Sequence, residues 1–284
     1  MRRAPAARVA ALAVRPTAAG RLAAVDLAAE AMRHWRAAPA ALVPHLRPLL
    51  ADPWAGAAAV RLLGSSLEAT RLCREELADR VRDGAATLAL ARTGDVRALP
   101  GLCRTVRDGS SGWAVTEAAE GLAGVPGADL APLVAAAAAA LDRSGSRAAD
   151  PALAVLGACR AAAAPAVPVL VRMLAGLRGD CSYERRAGRL VVALGAIGPG
   201  AWAALPLLDA IPANGPGARA GHTAMALITI SGDRRRAEEI LARLDERPRG
   251  IAVAARVLEA GGGAGRARAE GGGAAARARP DVHR

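Results

Sequence analysis

The chain contains no lysine, no phenylalanine and one tyrosine, and aromatic residues make up only 2% of its 284 residues. Hydrophobic residues nevertheless reach 53%, and most of them are alanine. Alanine favours helices and has little bulk, so alanine-rich helices must approach closely to bury apolar surface. The composition therefore favours an all-helical, closely packed protein over one with a bulky aromatic core.

Cysteine and histidine are too sparse and too scattered for a metal centre. The four cysteines form no CxxC pair, and no histidine lies near them at ligand spacing; they are Cys73, Cys103, Cys159 and Cys181. We expect reduced, mostly buried thiols and a cytoplasmic location, because disulfides rarely persist in that compartment.

Motifs of catalysis and cofactor binding are also missing. The sequence contains no GxSxG, no P-loop and no GxGxxG that opens a helix after a strand. We therefore predict no catalytic residues, no cofactor and no metal. The alanine run 135–140 is ended by Asp142 and Arg143, well short of the roughly 20 apolar residues that span a bilayer, so we expect no membrane partner.

The net charge of +12 is concentrated at the two ends of the chain. Residues 1–21 carry five arginines and no acid, and residues 261–284 carry five arginines and two acids, so these ends supply +8 of the +12. A DNA-binding domain usually carries its basic stripe on the folded part. The net charge of +12 is therefore weaker evidence for an anionic partner of the repeats than it would be if it lay on them.

A recurring motif dominates the remainder: an apolar residue beside proline opens one helix, and an Ala-Leu-rich helix follows. Its copies are Val43-Pro44, Leu99-Pro100, Ala131-Pro132, Val167-Pro168 and Leu205-Pro206. The second helices align on one leucine each: Leu62, Leu90, Leu122, Leu156, Leu194, Leu227 and Leu258. Steps of roughly thirty to forty residues are typical of helical solenoids. We therefore divide the chain into a basic N-terminal segment (1–20), the repeats (21–260) and a Gly/Ala/Arg tail (261–284) that we expect to be disordered.

Backbone chemistry predicts several helix ends. Glycine follows apolar runs where a helix end favours a left-handed residue, at Gly94, Gly198 and Gly232. Asp95 precedes a first helix predicted over 96–107 and is placed to cap it. Pro100 lies too far inside that segment for a regular first turn, so we predict a bend or a late start there.

The segment PAVPVLVRMLAGLRGDCSYERRAGRLVVALGAIG, residues 165–198, resembles a HEAT repeat, including the shorter HEAT-like repeats named after phycobilisome lyases. It has a proline-bearing first helix, Asp180 in the turn, an arginine pair opening the second helix and an LGAIG ending. Residues 94–110 are a second match, and the resemblance covers roughly 40–260. It implies an all-α solenoid, a superhelix of about seven antiparallel helix pairs, with the second helices lining the concave surface.

Four cationic residues fall on the outward faces of two successive second helices: Arg186, Arg189, Arg219 and His222. Arginine is suited to bidentate binding of carboxylate or phosphate. We predict that these residues bind an anionic group, such as an acidic segment of another protein. The alternative is a solvated polar face paired with Glu184.

Two tryptophans stand near the starts of second helices. Trp54 lies close to Asp52, and Trp113 lies close to Glu117. The simplest interpretation is that the large rings fill gaps between alanine-rich helices. A HEAT-like DNA glycosylase would also use tryptophans and a carboxylate, but no residue matches a glycosylase motif specifically.

Three functions follow as expectations. The first is a non-catalytic scaffold that binds a partner protein on the concave surface. The second is a nucleic-acid-binding HEAT-like protein, with a DNA glycosylase as one form that it could take. The third, a lyase or chaperone for tetrapyrrole-bearing proteins, rests on the name of the repeat family alone.

Overall fold

A computed structural model describes residues 4–109, 112–143, 146–177, 181–210 and 217–235, together with 238, 239 and 242. Every regular element in these ranges is helical, as the composition predicts, and none of them contains a β-strand. The chain forms two compact units, Met1–Ala163 and Ala164–Arg284.

The first unit contains eleven described helices, several of them short. They are α1 (Ala4–Ala13), α2 (Ala18–His34), α3 (Ala38–Leu46), α4 (Gly56–Gly64), α5 (Leu67–Leu72), α6 (Arg74–Ala78), α7 (Gly84–Arg92), α8 (Leu99–Arg107), α9 (Trp113–Ala123), α10 (Ala131–Arg143) and α11 (Ser146–Cys159). The register leucines Leu90 and Leu122 lie in α7 and α9, as the repeat pattern predicts.

Within this unit the helices form two series of neighbours. The helices α2, α4, α7, α9 and α11 each contact the next in that order, and we call this series the second-helix layer. On the other side α1 contacts α3, α3 contacts α5, and α8 contacts α10. Each of α7, α9 and α11 also contacts the first helix that precedes it.

The predicted leucine register describes the core of both units. Five register leucines are buried: Leu90, Leu122, Leu156, Leu194 and Leu227. Leu62 is half-buried, because its neighbour Leu63 takes the fully buried position on α4. Leu258 lies outside the described residues.

Glycine permits the closest helix approach in the second-helix layer. A Cβ atom added to Gly121 of α9 would lie 2.3 Å from the carbonyl oxygen of Ala91 and 2.7 Å from that of Arg92 on α7. Real Cβ atoms essentially never come so close to backbone oxygens, so α7 and α9 pack at this distance only because residue 121 has no side chain.

The predicted late start near Pro100 is confirmed. Val96–Ala98 forms a 3₁₀ turn, and α8 begins only at Leu99, which places Pro100 in its first turn. The Oδ1 atom of Asp95 accepts the backbone N–H of Arg97 at 3.1 Å, which makes Asp95 the predicted cap. Gly94 has a φ of +80°, and Gly198 and Gly232 are likewise left-handed.

The N-terminal segment differs from the expected basic tail. Helix α1 occupies Ala4–Ala13, packs against α2 and α3, and buries Val9 completely. Its alanines and Val9 supply enough apolar surface for docking, so the first unit begins before residue 21. The tail 261–284 lies outside the described residues.

The second unit contains α12 (Val167–Gly176), α13 (Cys181–Ile197), α14 (Leu205–Asp209) and α15 (Gly217–Ser231), with a 3₁₀ segment at Gly198–Ala204. Helices α13 and α15 lie side by side and run in the same direction. A Cβ at Gly195 would lie 3.1 Å from the Cα of Ala226, and one at Gly198 would lie 3.8 Å from the carbonyl oxygen of Thr229.

Two helical stretches, Asp150–Gly176 and Arg186–Asp209, are long and apolar enough to cross a membrane by length and composition alone. A buried core helix passes the same test, and 44% of each window is buried within the protein. A 3₁₀ segment interrupts each stretch. These stretches therefore carry little weight as an indication of a membrane span.

Candidate functional site

The structure places the predicted cationic residues on two adjacent helices of the second unit. Arg186 and Arg189 belong to α13, and Arg219 and His222 belong to α15. Arg189 and His222 are exposed, while Arg186 is half-buried. The side chain of Arg219 lies outside the described part. The structure therefore places the four residues on neighbouring helices, without contacts between all four side chains.

Arg186 adds one observation that the sequence did not offer. Among the described residues, its Nη2 atom is buried and has no hydrogen-bond partner. An unsatisfied buried donor is costly, and an anionic ligand would satisfy it. Among the members of this set whose side chains are described, Arg186 therefore has the strongest chemical reason to bind an anion.

Trp54 and Trp113 are exposed, which overturns the interpretation that they fill gaps between helices, and Trp202 is exposed as well. Trp54 is 61% exposed, Trp113 is 73% exposed and Trp202 is 71% exposed. Glycine and alanine contacts, such as the approach at Gly121, already close the space between neighbouring helices.

Trp54 is held at the start of α4 by residues from two elements. Arg21 of α2 places its Cζ atom 5.3 Å from the centre of the Trp54 ring, and its Nε atom lies 2.9 Å from Oδ2 of Asp52. The other carboxylate oxygen, Oδ1, accepts the backbone N–H groups of Trp54 and Ala55 at 2.9 and 2.7 Å. The hydrogen bond from Ala55 contributes most to lowering the pKa of Asp52, with smaller contributions from Trp54 and Arg21.

Trp113 is held at the start of α9 in the same manner. Arg92 of α7 places its Cζ atom 6.0 Å from the centre of the Trp113 ring, and its Nε atom lies 3.0 Å from Oε2 of Glu117. Its Nη1 atom also donates to the carbonyl oxygen of Gly64 at 3.2 Å, which fixes the guanidinium between α4 and α9.

The same arrangement thus occurs twice in the second-helix layer, and we call each copy an arginine–tryptophan pair. An arginine of one second helix holds a tryptophan and a carboxylate at the start of the next. Each stacking interaction is worth about 0.5–1 kcal/mol at an exposed site. Because the carboxylate neutralises the arginine, each pair presents an ordered aromatic ring with little net charge.

Sequence reasoning could not have found these pairs, since Arg21 precedes Trp54 by 33 residues and Arg92 precedes Trp113 by 21. The carboxylate lies before one tryptophan and after the other. Only the nearness of each carboxylate to its tryptophan was visible in the sequence.

A groove of about 580 Å³ opens near the ends of α2 and α4, and we call it the α2–α4 groove. Its apolar lining includes Met32, Pro39, Leu62 and Leu67, and its charged lining consists of Arg33, Arg36, Arg92 and Glu68. Arg92 therefore belongs both to this groove and to the pair with Trp113. The groove and the exposed Trp113 ring are joined through that one side chain.

A separate charged cluster surrounds Asp95, which is 1% exposed. Arg74 of α6 places Nε 2.5 Å from Oδ2 of Asp95, and Arg97 places Nη2 2.7 Å from the same oxygen while also pairing with Glu75. Burial raises the pKa of Asp95, but the hydrogen bonds from Arg97 and Arg74 outweigh it and hold that pKa far below its usual range. Asp95 also caps the turn before α8, so this cluster joins α6 to α8 and serves the fold.

The described thiols are buried and are less readily ionised than an exposed thiol. Cys73, Cys103 and Cys159 are free and buried, as predicted. Burial raises the pKa of Cys73 to about 11 and that of Cys159 to about 12, and it also raises the pKa of Cys103. Over the described residues, no group of three His, Cys, Asp or Glu side chains is placed to hold a metal ion.

Comparison with known proteins adds no relative to these observations. No protein-family model matches the chain, and the search of curated proteins returned no significant match.

Proposed function

We propose that the chain is an α-solenoid that acts as a non-catalytic scaffold and binds a partner protein along its second helices. The repeating motif and the succession of contacts from α2 through α4, α7 and α9 to α11 support the solenoid. The absence of catalytic motifs from the sequence is consistent with a binding role, although fold alone does not name a function.

The observation that carries the binding role is the ordered exposure of Trp54 and Trp113. Tryptophan and arginine are enriched among the residues that dominate protein–protein binding energy. Both indoles stand more than half exposed on the second-helix layer, and an arginine stacks on each. Fixing a ring before binding lowers the entropy that association must overcome.

The charge of these pairs favours a protein partner over nucleic acid. Phosphate binding requires arginines whose charge is available, whereas Arg21 and Arg92 are each paired with a carboxylate. In the second unit, Arg186, Arg189, Arg219 and His222 are proposed to contact an acidic segment of the partner.

Affinity capture with the full-length chain tests this proposal. The wild type is compared with the double variant Trp54→Ala/Trp113→Ala and with Trp202→Ala, which removes an equally exposed ring from the other unit. We expect the double variant to lose its captured protein and the single variant to retain it. Identical capture by all three proteins would contradict the proposed surface.

A titration of labelled duplex DNA tests the nucleic-acid alternative. Binding through several phosphates weakens steeply with salt because counterions are released. We expect no DNA binding at physiological salt; tight binding there that also depends on Trp54 and Trp113 would replace the scaffold proposal.

A further inference from the structure

The α2–α4 groove has the size and lining of a binding site. Its volume of about 580 Å³ falls within the roughly 300–1,000 Å³ that is usual for ligand sites. Met32 and Leu62 are half-buried within it, and Leu67 at its edge is 43% exposed. These side chains form an apolar floor that a large aliphatic side chain of a partner would cover.

The cationic rim of the groove is not fully neutralised from within. Arg33 pairs with Glu30, but both side chains are more than half exposed, and such surface pairs are weak because water screens them. Arg36 is exposed, and no carboxylate of the described residues lies within ion-pair distance of it. The end of the groove nearest α2 therefore offers one unpaired guanidinium and one weakly held guanidinium.

The two remaining charged residues of the lining, Arg92 and Glu68, have different electrostatics. Arg92 is only 19% exposed and is already bound to Glu117 and to the carbonyl oxygen of Gly64. Glu68, in the first turn of α5, adds a carboxylate to the lining. A ligand carboxylate would be repelled by Glu68, so the lining favours ligand carboxylates beside Arg36 and Arg33 over ligand carboxylates beside Glu68.

We propose that the α2–α4 groove binds a short segment of a partner protein in which a large aliphatic residue lies next to acidic residues. The aliphatic side chain covers Met32, Leu62 and Leu67, and the carboxylates lie at the α2 end against Arg36 and Arg33. This proposal rests on the protein-binding function proposed above and names the chemistry of the partner.

The test uses the full-length protein and a fluorescein-labelled peptide, Gly-Ser-Leu-Leu-Glu-Glu-Gly-Ser, with binding followed by fluorescence anisotropy. Two matched peptides replace either both glutamates by glutamine or both leucines by serine. We expect the parent peptide to bind about tenfold more tightly than either matched peptide. The glutamine peptide loses the charge-assisted contact with arginine, and the serine peptide loses the apolar contact.

Protein variants locate the binding. Arg36→Glu is expected to weaken the parent peptide about tenfold and to leave the glutamine peptide nearly unchanged. Arg61→Glu is the matched control, because Arg61 is an exposed arginine of α4 that does not line the groove. Ser65→Trp fills the groove and is expected to abolish binding, with circular dichroism confirming that the helices remain.

Three results would overturn the proposal: no binding of the parent peptide to the wild type, equal weakening by Arg36→Glu and Arg61→Glu, or equal binding of the glutamine peptide. Should affinity capture succeed while any of these results is obtained, the scaffold function stands and the assignment to this groove fails. Peptide binding without a captured partner would instead support the groove and leave the scaffold proposal contradicted.

Discussion

Replacing Gly121 with alanine is expected to destabilise the first unit by pushing α9 away from α7. The new Cβ atom would lie 2.3 Å from the carbonyl oxygen of Ala91 and 2.7 Å from that of Arg92. Both obstacles are backbone atoms of a helix, so neither can rotate aside as a side chain would.

The magnitude follows from two opposing effects. Inserting a methyl group into a fully packed contact costs about 1–3 kcal/mol, and a rigid backbone obstacle places this site near the upper value. Alanine gains about 1 kcal/mol over glycine inside a helix. We therefore expect a net loss of about 2 kcal/mol in the free energy of unfolding.

Urea denaturation followed by circular dichroism measures this change, and Gly188→Ala is the matched control. Gly188 also lies inside a helix, but its added Cβ would meet no atom within 4 Å. The control should gain up to about 1 kcal/mol from helix propensity. If Gly121→Ala were as stable as Gly188→Ala, the close approach of α7 and α9 would be wrong.

Three further predictions concern the buried charge, the thiols and an exposed ring. Asp95→Asn keeps a capping oxygen but removes the charge that binds Arg74 and Arg97, so a loss of about 1.5–3 kcal/mol is expected in urea denaturation at neutral pH. Because folding lowers the pKa of Asp95, its contribution to stability is complete above its unfolded pKa of about 4 and is lost as the pH falls through the lower folded pKa. The wild type should therefore lose its stability advantage over the variant progressively below about pH 4. Cys73 and Cys159 should resist alkylation in the native protein at neutral pH and react in urea, as mapped by mass spectrometry; modification of the native thiols would contradict their burial. Trp113→Ala should change the free energy of unfolding by no more than about 1 kcal/mol, since the residue is 73% exposed. A larger loss would mean that the ring belongs to the core.

The helix ends of this protein are largely encoded by local chemistry, and the sequence predicts them well. Asp95, Pro100 and the left-handed glycines act within a few residues of their own positions. Their effects depend on backbone sterics and hydrogen bonds that need no knowledge of the remaining fold. The late start of α8 was therefore predictable from a short local stretch of sequence, the six residues from Asp95 to Pro100.

The candidate site was predicted less well because it depends on contacts between distant residues. The exposure of Trp54 and Trp113 depends on how closely neighbouring helices pack, which composition alone does not determine. Arg92 reaches Glu117 and Gly64 across two interfaces, and no spacing in the sequence marks that contact. The docking of α1 was missed for a related reason, since arginines at the chain start obscured the buried face around Val9.

The stacked and exposed tryptophans also make the protein its own optical probe. The chain has only four tryptophans and one tyrosine, and three of the tryptophans, Trp54, Trp113 and Trp202, expose most of their surface to water. A partner that covers the second-helix layer would shift that emission to shorter wavelengths. Because each ring can be replaced singly, the shift reports which helix a ligand has reached without any added label.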